Sequence, residues 1–413
     1  MRGWFARLAS TLFVLSLLVA KAHGADTSSQ IARGEYLARA SDCEVCHTAP
    51  GGTPFAGGRP FKLPGIGTIY STNLTPDRAT GVGDYTDAQF ARAVRRGVGR
   101  GWKHLYPVMP YTSYAYLSAD DTAAIFAWLK TLRPVTATIP ANDVGFPYNI
   151  RAAMIGWNLL YRPSAGRRDD PSRSAAWNQG RWLVEGPGHC AECHTPRNML
   201  YAKSSSQPYA GGQAEEWDAY NISSDPESGI GGWSDESLFA YLHTGHADGH
   251  GTASGPMADV ISHGVRYMTD EDVHAMITYL RTLPQQRTNV ITDRVSPERL
   301  ARIGTPTEGN GARLFAGACA GCHLTDGTGR QVPYATLWGA RTVGLPGGRN
   351  LVQVILHGSA LETSMGRIAM PQVGDEYSDR DIADIANYVI GHFGNRAGTV
   401  TPQAVQAALA NGD

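Results

Sequence analysis

The chain has 413 residues, of which 42% are hydrophobic, so it can bury more than one core and is expected to form two to four domains. Its 36 Lys and Arg residues nearly balance 37 Asp and Glu residues, which gives a formal net charge of −1. Neither a basic tract nor an interleaved basic and aromatic patch is present, so nucleic acid is excluded as an expected partner.

The first predicted element is an export signal. Two arginines precede an apolar run at 8–20, and small residues follow. The run is shorter than the ~20 residues that span a bilayer, which favours cleavage over an uncleaved membrane anchor. A signal peptide at 1–24 is therefore expected, with cleavage after Gly24 or, as the alternative, after Ala22.

Every cysteine belongs to a Cys-x-x-Cys-His motif, and the motif occurs three times. Two thiols on one helical turn can reach both vinyl groups of a porphyrin while the next imidazole lies under the iron. A zinc site would need more thiols per cluster, and a redox dithiol does not need the histidine. The motifs predict three haem c groups and export to the periplasm. The attaching thiols are Cys43, Cys46, Cys190, Cys193, Cys319 and Cys322, and the proximal iron ligands are His47, His194 and His323.

Each motif lies in a repeated unit that opens with a short amphipathic helix and closes with a helix that begins at acidic capping residues. The closing helices are expected to follow the N-caps Ser118, Thr269 and Ser378, and the opening helices carry Gly34, Gly180 and Gly311. Recurrence of the glycine favours a close crossing of the two helices over a simple turn. Such a helix pair around a haem is typical of class I cytochrome c. The expected fold is all-α, with three tandem class I cytochrome c domains joined by linkers.

The repeats and the loop composition predict the domain boundaries. The interval from the first cysteine of the motif to the predicted distal methionine is 66, 67 and 51 residues in the three units, so the third is shorter. A connecting helix is expected at 149–161. The predicted segments are cytochrome c domains at 25–135, 174–284 and 306–396, linkers at 136–173 and 285–305, and a tail at 397–413.

A methionine beside a proline, shortly before the last helix, is the expected distal ligand of each haem. These methionines are Met109, Met257 and Met370. Met268 competes with Met257, and His104 is an alternative near Met109. The other methionines of the mature chain, Met154, Met199, Met276 and Met365, are expected in the core.

Three further histidines, His243, His246 and His250, surround Asp248 in a Gly-rich loop. They could form a metal cluster, but no thiol is available, so solvent exposure is favoured. No Ser-His-Asp arrangement, nucleotide-binding loop or paired-carboxylate motif is found. A catalytic site of the chain's own is not expected.

The chain resembles the tri-haem cytochrome c subunit of bacterial membrane-bound dehydrogenases that oxidise alcohols, aldehydes, gluconate, sorbitol or fructose. The resemblance is carried by 176–198 around the second motif, by 67–73, by 104–107 before Met109, and by a linker helix with Arg151 and 156–159. The family's methionine ligands correspond to the three chosen above.

The resemblance implies an electron relay rather than an enzyme. Its partners would be a quinone-, flavin- or molybdenum-dependent dehydrogenase subunit, then ubiquinone or another cytochrome, at the periplasmic face of the inner membrane. The tail at 401–409 is a weak candidate for a membrane anchor, and an ordinary packed helix is favoured. The alternatives are a peroxidase- or reductase-type haem enzyme with one open distal position and a free soluble shuttle.

Overall fold

In the computed structural model, the described residues are 27–164, 166–288, 309–330, 332–345, 347–394 and 396–412. The predicted signal peptide, its cleavage site and most of the second linker lie outside them. The chain divides into two compact units, one ending at Arg167 and the other beginning at Arg168. None of the described helices has the length and apolar character needed to cross a membrane.

Unit 1 contains the first motif and the connecting helix. Its helices are α1 (27–40), α2 (Cys43–Cys46), α3 (Asp87–Arg96), α4 (Tyr111–Tyr114), α5 (Ala119–Leu129) and α6 (Ala153–Tyr161). Strands β1 (Pro60–Leu63), β2 (Gly67–Tyr70) and β3 (Asp143–Val144) form an antiparallel sheet in that order. Phe61 pairs with Ile69, and Thr68 pairs with Asp143.

Unit 2 contains the second and third motifs. The parts of the chain around these motifs are called the second and third segments, and unit 1 contains the first. The second segment has α7 (Ala175–Glu185), α8 (Ala191–His194), α9 (Asp235–Thr244), α10 (Pro256–His263) and α11 (Asp270–Leu280), with strand pairs β4 (Gly212–Ala214) with β5 (Trp217–Ala219) and β6 (His246–Ala247) with β7 (Gly251–Thr252). The third has α12 (Asn310–Ala318), α13 (Ala320–His323), α14 (Arg349–His357), β8 (Ser359–Thr363), β9 (Gly366–Met370), α15 (Asp379–Phe393) and α16 (Pro402–Gly412).

The closing helices α5, α11 and α15 begin where the capping residues predict. Ser118 accepts a hydrogen bond from the backbone N–H of Asp121, and the Asp121 carboxylate accepts one from the Ser118 N–H. Thr269 and Ser378 cap the other two helices, each accepting a hydrogen bond through its side chain from the backbone N–H of Asp272 or Asp381. These bonds satisfy amide groups that would otherwise lack partners in the first helical turn.

The opening and closing helices of each segment cross at the repeated glycine, as predicted. A Cβ atom on Gly34 would lie 2.0 Å from the carbonyl oxygen of Ala124, and one on Gly180 would lie 1.8 Å from that of Ala275. On Gly311 it would lie 2.2 Å from the Asp384 oxygen. Only glycine permits backbones to approach this closely. The same crossing therefore occurs three times.

The all-α expectation is incomplete, because short antiparallel strands accompany the helices. The longest pair, β8 with β9, runs from Ser359 opposite Met370 to Thr363 opposite Gly366. Gly366 has a φ of 103°, a conformation that glycine adopts freely and that allows the tight turn. Backbone groups in these loops thus find partners without a helix.

The tail packs against the third segment rather than remaining exposed. Val405 of α16 is fully buried, and Ala408 and Leu409 contact the same core, which includes Phe315 and Ile390. The favoured interpretation of the tail as a packed helix is confirmed. Its apolar face is therefore not available to a membrane.

Replacing Gly311 by Ala should destabilise the third segment by about 1–3 kcal/mol, because the added methyl group meets a backbone carbonyl that cannot move aside. Gly317→Ala, on the same helix, is the matched control, since a Cβ there has no neighbour within 4 Å. It should be neutral or stabilise by up to about 1 kcal/mol. Denaturant unfolding of the holoprotein, followed by circular dichroism, measures both. Equal effects of the two variants would contradict the close crossing.

Candidate haem-binding sites

The three motif histidines share one hydrogen-bonding geometry. The Nδ1 atom of His47 lies 2.6 Å from the carbonyl oxygen of Thr72, and the Nδ1 atom of His194 lies 2.6 Å from that of Tyr220. In His323 this atom lies 2.7 Å from the oxygen of Ala335. A carbonyl oxygen can only accept, so Nδ1 carries the proton and Nε2 keeps its lone pair. This is the tautomer of an iron ligand with an oriented ring.

In the first two sites, the carbonyl lies in a loop held by an asparagine. Asn73 follows Thr72, donates through Nδ2 to the Val135 carbonyl at 2.7 Å, and accepts from the Thr75 N–H at 2.8 Å. This asparagine carries no sequence motif, so its role becomes visible only in the structure.

Asn221 repeats these contacts after Tyr220. It donates to the Gln286 carbonyl at 2.5 Å and accepts from the Ser223 N–H at 2.8 Å. Each asparagine thus links the loop beside its histidine to the chain that leaves the closing helix.

The third site uses a shorter loop. Ala335 lies 12 residues after His323, against 25 and 26 residues in the other two sites. The backbone N–H of Gly329 donates to the His323 carbonyl at 3.1 Å, and Leu337 donates to Gly327 at 2.9 Å. The third unit is therefore shorter, as predicted, but His323 still contacts a backbone carbonyl through Nδ1.

Burial favours the uncharged forms of the three motif histidines and of the Cys43 thiol. It lowers the pKa of His47, His194 and His323, so that each imidazole remains neutral and able to bind a metal. Burial, with a smaller effect of the Asp42 charge, raises the pKa of the Cys43 thiol to about 12. A redox-active dithiol needs a thiolate at neutral pH, which this environment opposes.

Unit 1 contains a cavity of about 610 Å³ that brings the predicted ligands of the first haem together. Cys43, Cys46 and His47 line it, and so does Met109. Most of the other lining residues are apolar or aromatic, which suits a porphyrin face. His104, the alternative ligand, does not line the cavity. The residues present therefore fit a haem with one histidine and one methionine.

Three cations also line the cavity, and no sequence motif predicted their position there. Arg100, Lys103 and Arg151 line it, and Arg151 donates to the His104 carbonyl at 2.7 Å while stacking on Tyr106. Cations suit the carboxylates of a haem. Arg151 was noticed only as part of the family resemblance, since isolated arginines carry no motif.

The other methionines fall into three environments. Met257 is partly buried near the start of α10, and Met370 is partly buried at the end of β9. Met268 and Met276 are buried, which agrees with a core role for Met276. Met199 is 97% exposed and Met365 is 67% exposed, so the expectation of core positions is wrong for these two. Their loops reach into solvent.

The expectation that the three histidines of this loop are solvent-exposed is wrong for His246, which is buried, whereas His243 and His250 are half-buried. His246 is buried and bonds to Thr252 and Asp248, while the His250 ring stacks on Trp233 at 3.7 Å. His243 stacks on Phe239. Among the described residues no group of three or more His, Cys, Asp and Glu side chains could hold a metal ion. Pairing of β6 with β7 buries His246, while Asp248 in the turn between them stays exposed.

A further charged residue, Arg341, reaches the second site from the third segment. It is 9% exposed and donates to the carbonyl oxygen of Asn221, the residue after the partner of His194. No sequence signal marked it, because a single arginine in a Gly-rich loop is usually solvated.

Comparisons with known proteins show which proteins the chain is similar to. A family model described as cytochrome C oxidase, cbb3-type, subunit III matches residues 306–389. The chain is 39% identical over 405 residues to the fructose dehydrogenase cytochrome subunit of Gluconobacter japonicus, covering 92% of this chain and 83% of that protein.

Two further relatives cover the chain equally well. The gluconate 2-dehydrogenase cytochrome c subunit of Pantoea cypripedii is 37% identical over 402 residues, covering 91% of this chain and 88% of its own. The cytochrome c subunit of alcohol dehydrogenase (quinone) from Gluconobacter oxydans (strain 621H) is 34% identical over 426 residues, covering 100% and 88%. The similarity therefore extends beyond the haem motifs to most of each chain.

The carboxylate of Asp225 should stabilise the second site in a pH-dependent way. Burial raises its pKa, but hydrogen bonds from Ser228 and Arg287 outweigh this and lower the pKa to about 2. A depressed pKa adds stability above the unfolded value of about 3.9, and that stability is lost as the pH falls towards 2.

Asp225→Asn should therefore reduce the free energy of unfolding at pH 7 by about 1–3 kcal/mol. The difference in the free energy of unfolding between variant and wild type should disappear between pH 4 and pH 2, as measured by urea unfolding at each pH. A gap that stays constant over this range would contradict the assigned role of the carboxylate.

Proposed function

Since the chain belongs to the family of cytochrome c subunits of bacterial dehydrogenases, we propose that it carries three haem c groups and relays electrons. The donor is a catalytic dehydrogenase subunit that depends on a quinone, a flavin or molybdenum, and the acceptor is ubiquinone or another cytochrome. The names of the relatives support a dehydrogenase partner. The predicted signal peptide supports a periplasmic location.

The observation that carries the proposal is the arrangement in unit 1. Two thiols, a histidine with Nε2 free for iron, and a methionine line one cavity. A haem bound there supplies a one-electron iron couple. If His47 and Met109 both bound the iron, no position would remain for a substrate, which favours electron transfer over catalysis at the iron.

The chain's own residues would set the properties of each site. We assign distal ligation to Met109, Met257 and Met370, whose thioethers raise the potential relative to a second histidine. The carbonyl partners fix the imidazole planes. The repeated helix crossing supports three class I domains at 25–135, 174–284 and 306–396, although the second and third belong to one compact unit.

Replacing Met109 by Ala should open one iron to external ligands. The wild-type protein, reduced with dithionite, should not bind carbon monoxide, whereas Met109→Ala should bind one equivalent and lower the potential of one haem. A pyridine haemochrome assay should still find three covalent haems. Absorption spectroscopy and a redox titration measure these changes.

Met199→Ala is the matched control, because this methionine is exposed and should change neither property. Stoichiometric binding of carbon monoxide to the wild type, with turnover of peroxide or nitrite, would instead support the haem enzyme. Unchanged behaviour of Met109→Ala would overturn the ligand assignment.

We also propose that the protein contacts the inner membrane, and an exposed apolar surface supports this. Leu159 of α6 is 86% exposed, and Ile155, Leu160 and the preceding Phe146 are exposed as well. The segment 145–167 contains three arginines and no acidic residue. Apolar and aromatic side chains flanked by cations suit an anionic lipid surface.

The double variant Ile155→Glu/Leu159→Glu should weaken binding to phosphatidylethanolamine–phosphatidylglycerol vesicles at least about tenfold, because each buried side chain contributes about 1.5–3 kcal/mol. In cells, the variant should leave the membrane fraction but still purify with the dehydrogenase subunit. Vesicle co-sedimentation and affinity purification in mild detergent measure the two effects.

Met199→Glu/Leu200→Glu alters an exposed apolar pair elsewhere and should change neither result. Loss of the dehydrogenase subunit with vesicle binding intact would show that the surface binds that subunit instead. Recovery of the wild type as a free monomer from the soluble fraction would favour the soluble shuttle.

A further inference from the structure

A buried cation joins the third segment to the second within unit 2. The guanidinium of Arg341 donates to the carbonyl oxygens of Asn221, at 2.9 Å, and of Gly229. Its Cζ lies 5.8 Å from the centre of the Tyr220 ring and 5.6 Å from that of Trp233. The positive charge is therefore enclosed by backbone carbonyls and aromatic faces.

Within the described part of the chain, no carboxylate pairs with Arg341. Two other arginines of unit 2 do have such partners: Arg287 pairs with Asp225, and Arg349 pairs with Glu216. A buried cation without a counter-ion is costly and keeps most of its field, because little water or salt screens it. Instead of a carboxylate, carbonyl dipoles and aromatic faces stabilise the charge.

Arg341 binds the loop that orients the second proximal histidine, at the residue next to the one that contacts the histidine. His194 donates to the carbonyl of Tyr220, and Arg341 donates to the carbonyl of the next residue, Asn221. The guanidinium therefore both anchors the loop that carries the histidine's acceptor and places a positive charge beside it.

We propose that Arg341, supplied by the third segment, is a positioning residue that raises the reduction potential of the haem held by His194. Reduction adds one electron to the iron and removes one unit of positive charge, so a nearby buried cation favours the reduced form. The donor of that electron is the dehydrogenase subunit, and this inference rests on the proposed function.

The packing of the third segment against the second would therefore have a role in the relay. Asn350 holds the same interface without a charge, accepting from the Asp218 N–H at 2.8 Å and donating to its carbonyl at 2.9 Å. Asn350→Ala therefore perturbs the packing but leaves the cation in place, and it serves as the control for a purely structural effect.

Spectroelectrochemical titration of the three-haem protein tests the proposal. Arg341→Gln should lower the one-electron equilibrium constant of one redox step about tenfold, which is about 59 mV, and leave the other two steps unchanged. Arg341→Lys should retain most of the wild-type value, because it keeps the charge. Asn350→Ala should leave all three potentials in place. The effect of Arg341→Gln should persist at high salt.

Arg341→His provides a second test if Arg341→Gln does not assemble. The reduction potential of the affected step should fall relative to that of the wild type as the introduced imidazole loses its proton between pH 5 and pH 8. Equal shifts of all three steps, or the same shift in Arg341→Lys or Asn350→Ala, would overturn the inference. Fewer than three haems in the wild type, by pyridine haemochrome assay, would instead count against the proposed function.

Discussion

The arrangement of each site depends on one constraint: a histidine that binds a metal through Nε2 must give its Nδ1 proton to a fixed acceptor. All three motif histidines meet this requirement with a backbone carbonyl at 2.6–2.7 Å. A carbonyl is a reliable acceptor only if its own loop is rigid. Much of the structure around the motifs can be understood as a means of holding three such loops.

The chain holds these loops in two ways. In the first two sites, an asparagine follows the acceptor residue and ties the loop to the chain beyond the closing helix. In the third, a shorter glycine-rich turn brings Ala335 to His323 directly. The same geometry at the histidine is thus reached from unlike sequences, which makes the three environments inequivalent.

Packing of the second segment against the third adds to this inequivalence. The two meet through backbone contacts too close for any side chain: a Cβ on Gly339 would lie 1.9 Å from the Gly249 carbonyl oxygen. Leu361 joins a small apolar cluster with Ile261 of the second segment. Arg341 is buried as a consequence, so the charge near one histidine comes from a segment that carries another.

The sequence by itself determined the local features. The haem motifs, the N-caps, the crossing glycines and the packed tail follow from short-range patterns, because covalent attachment, capping and close helix contact each demand particular residue types. Residues distant along the chain left weaker signals. The strand pairs, the inward fold of the His246 loop and the exposure of Met199 and Met365 depended on how loops meet.

Only the tertiary structure decided which carbonyl each histidine uses and that Met109 lies with His47 in one cavity. It also decided that Arg341 is buried and that the second and third segments form one compact unit. Every residue has a carbonyl group, and an isolated arginine is usually solvated. The sequence therefore contains no pattern that identifies the histidine's acceptor or the buried arginine. Their roles arise from contacts between distant parts of the chain, which burial alone makes strong.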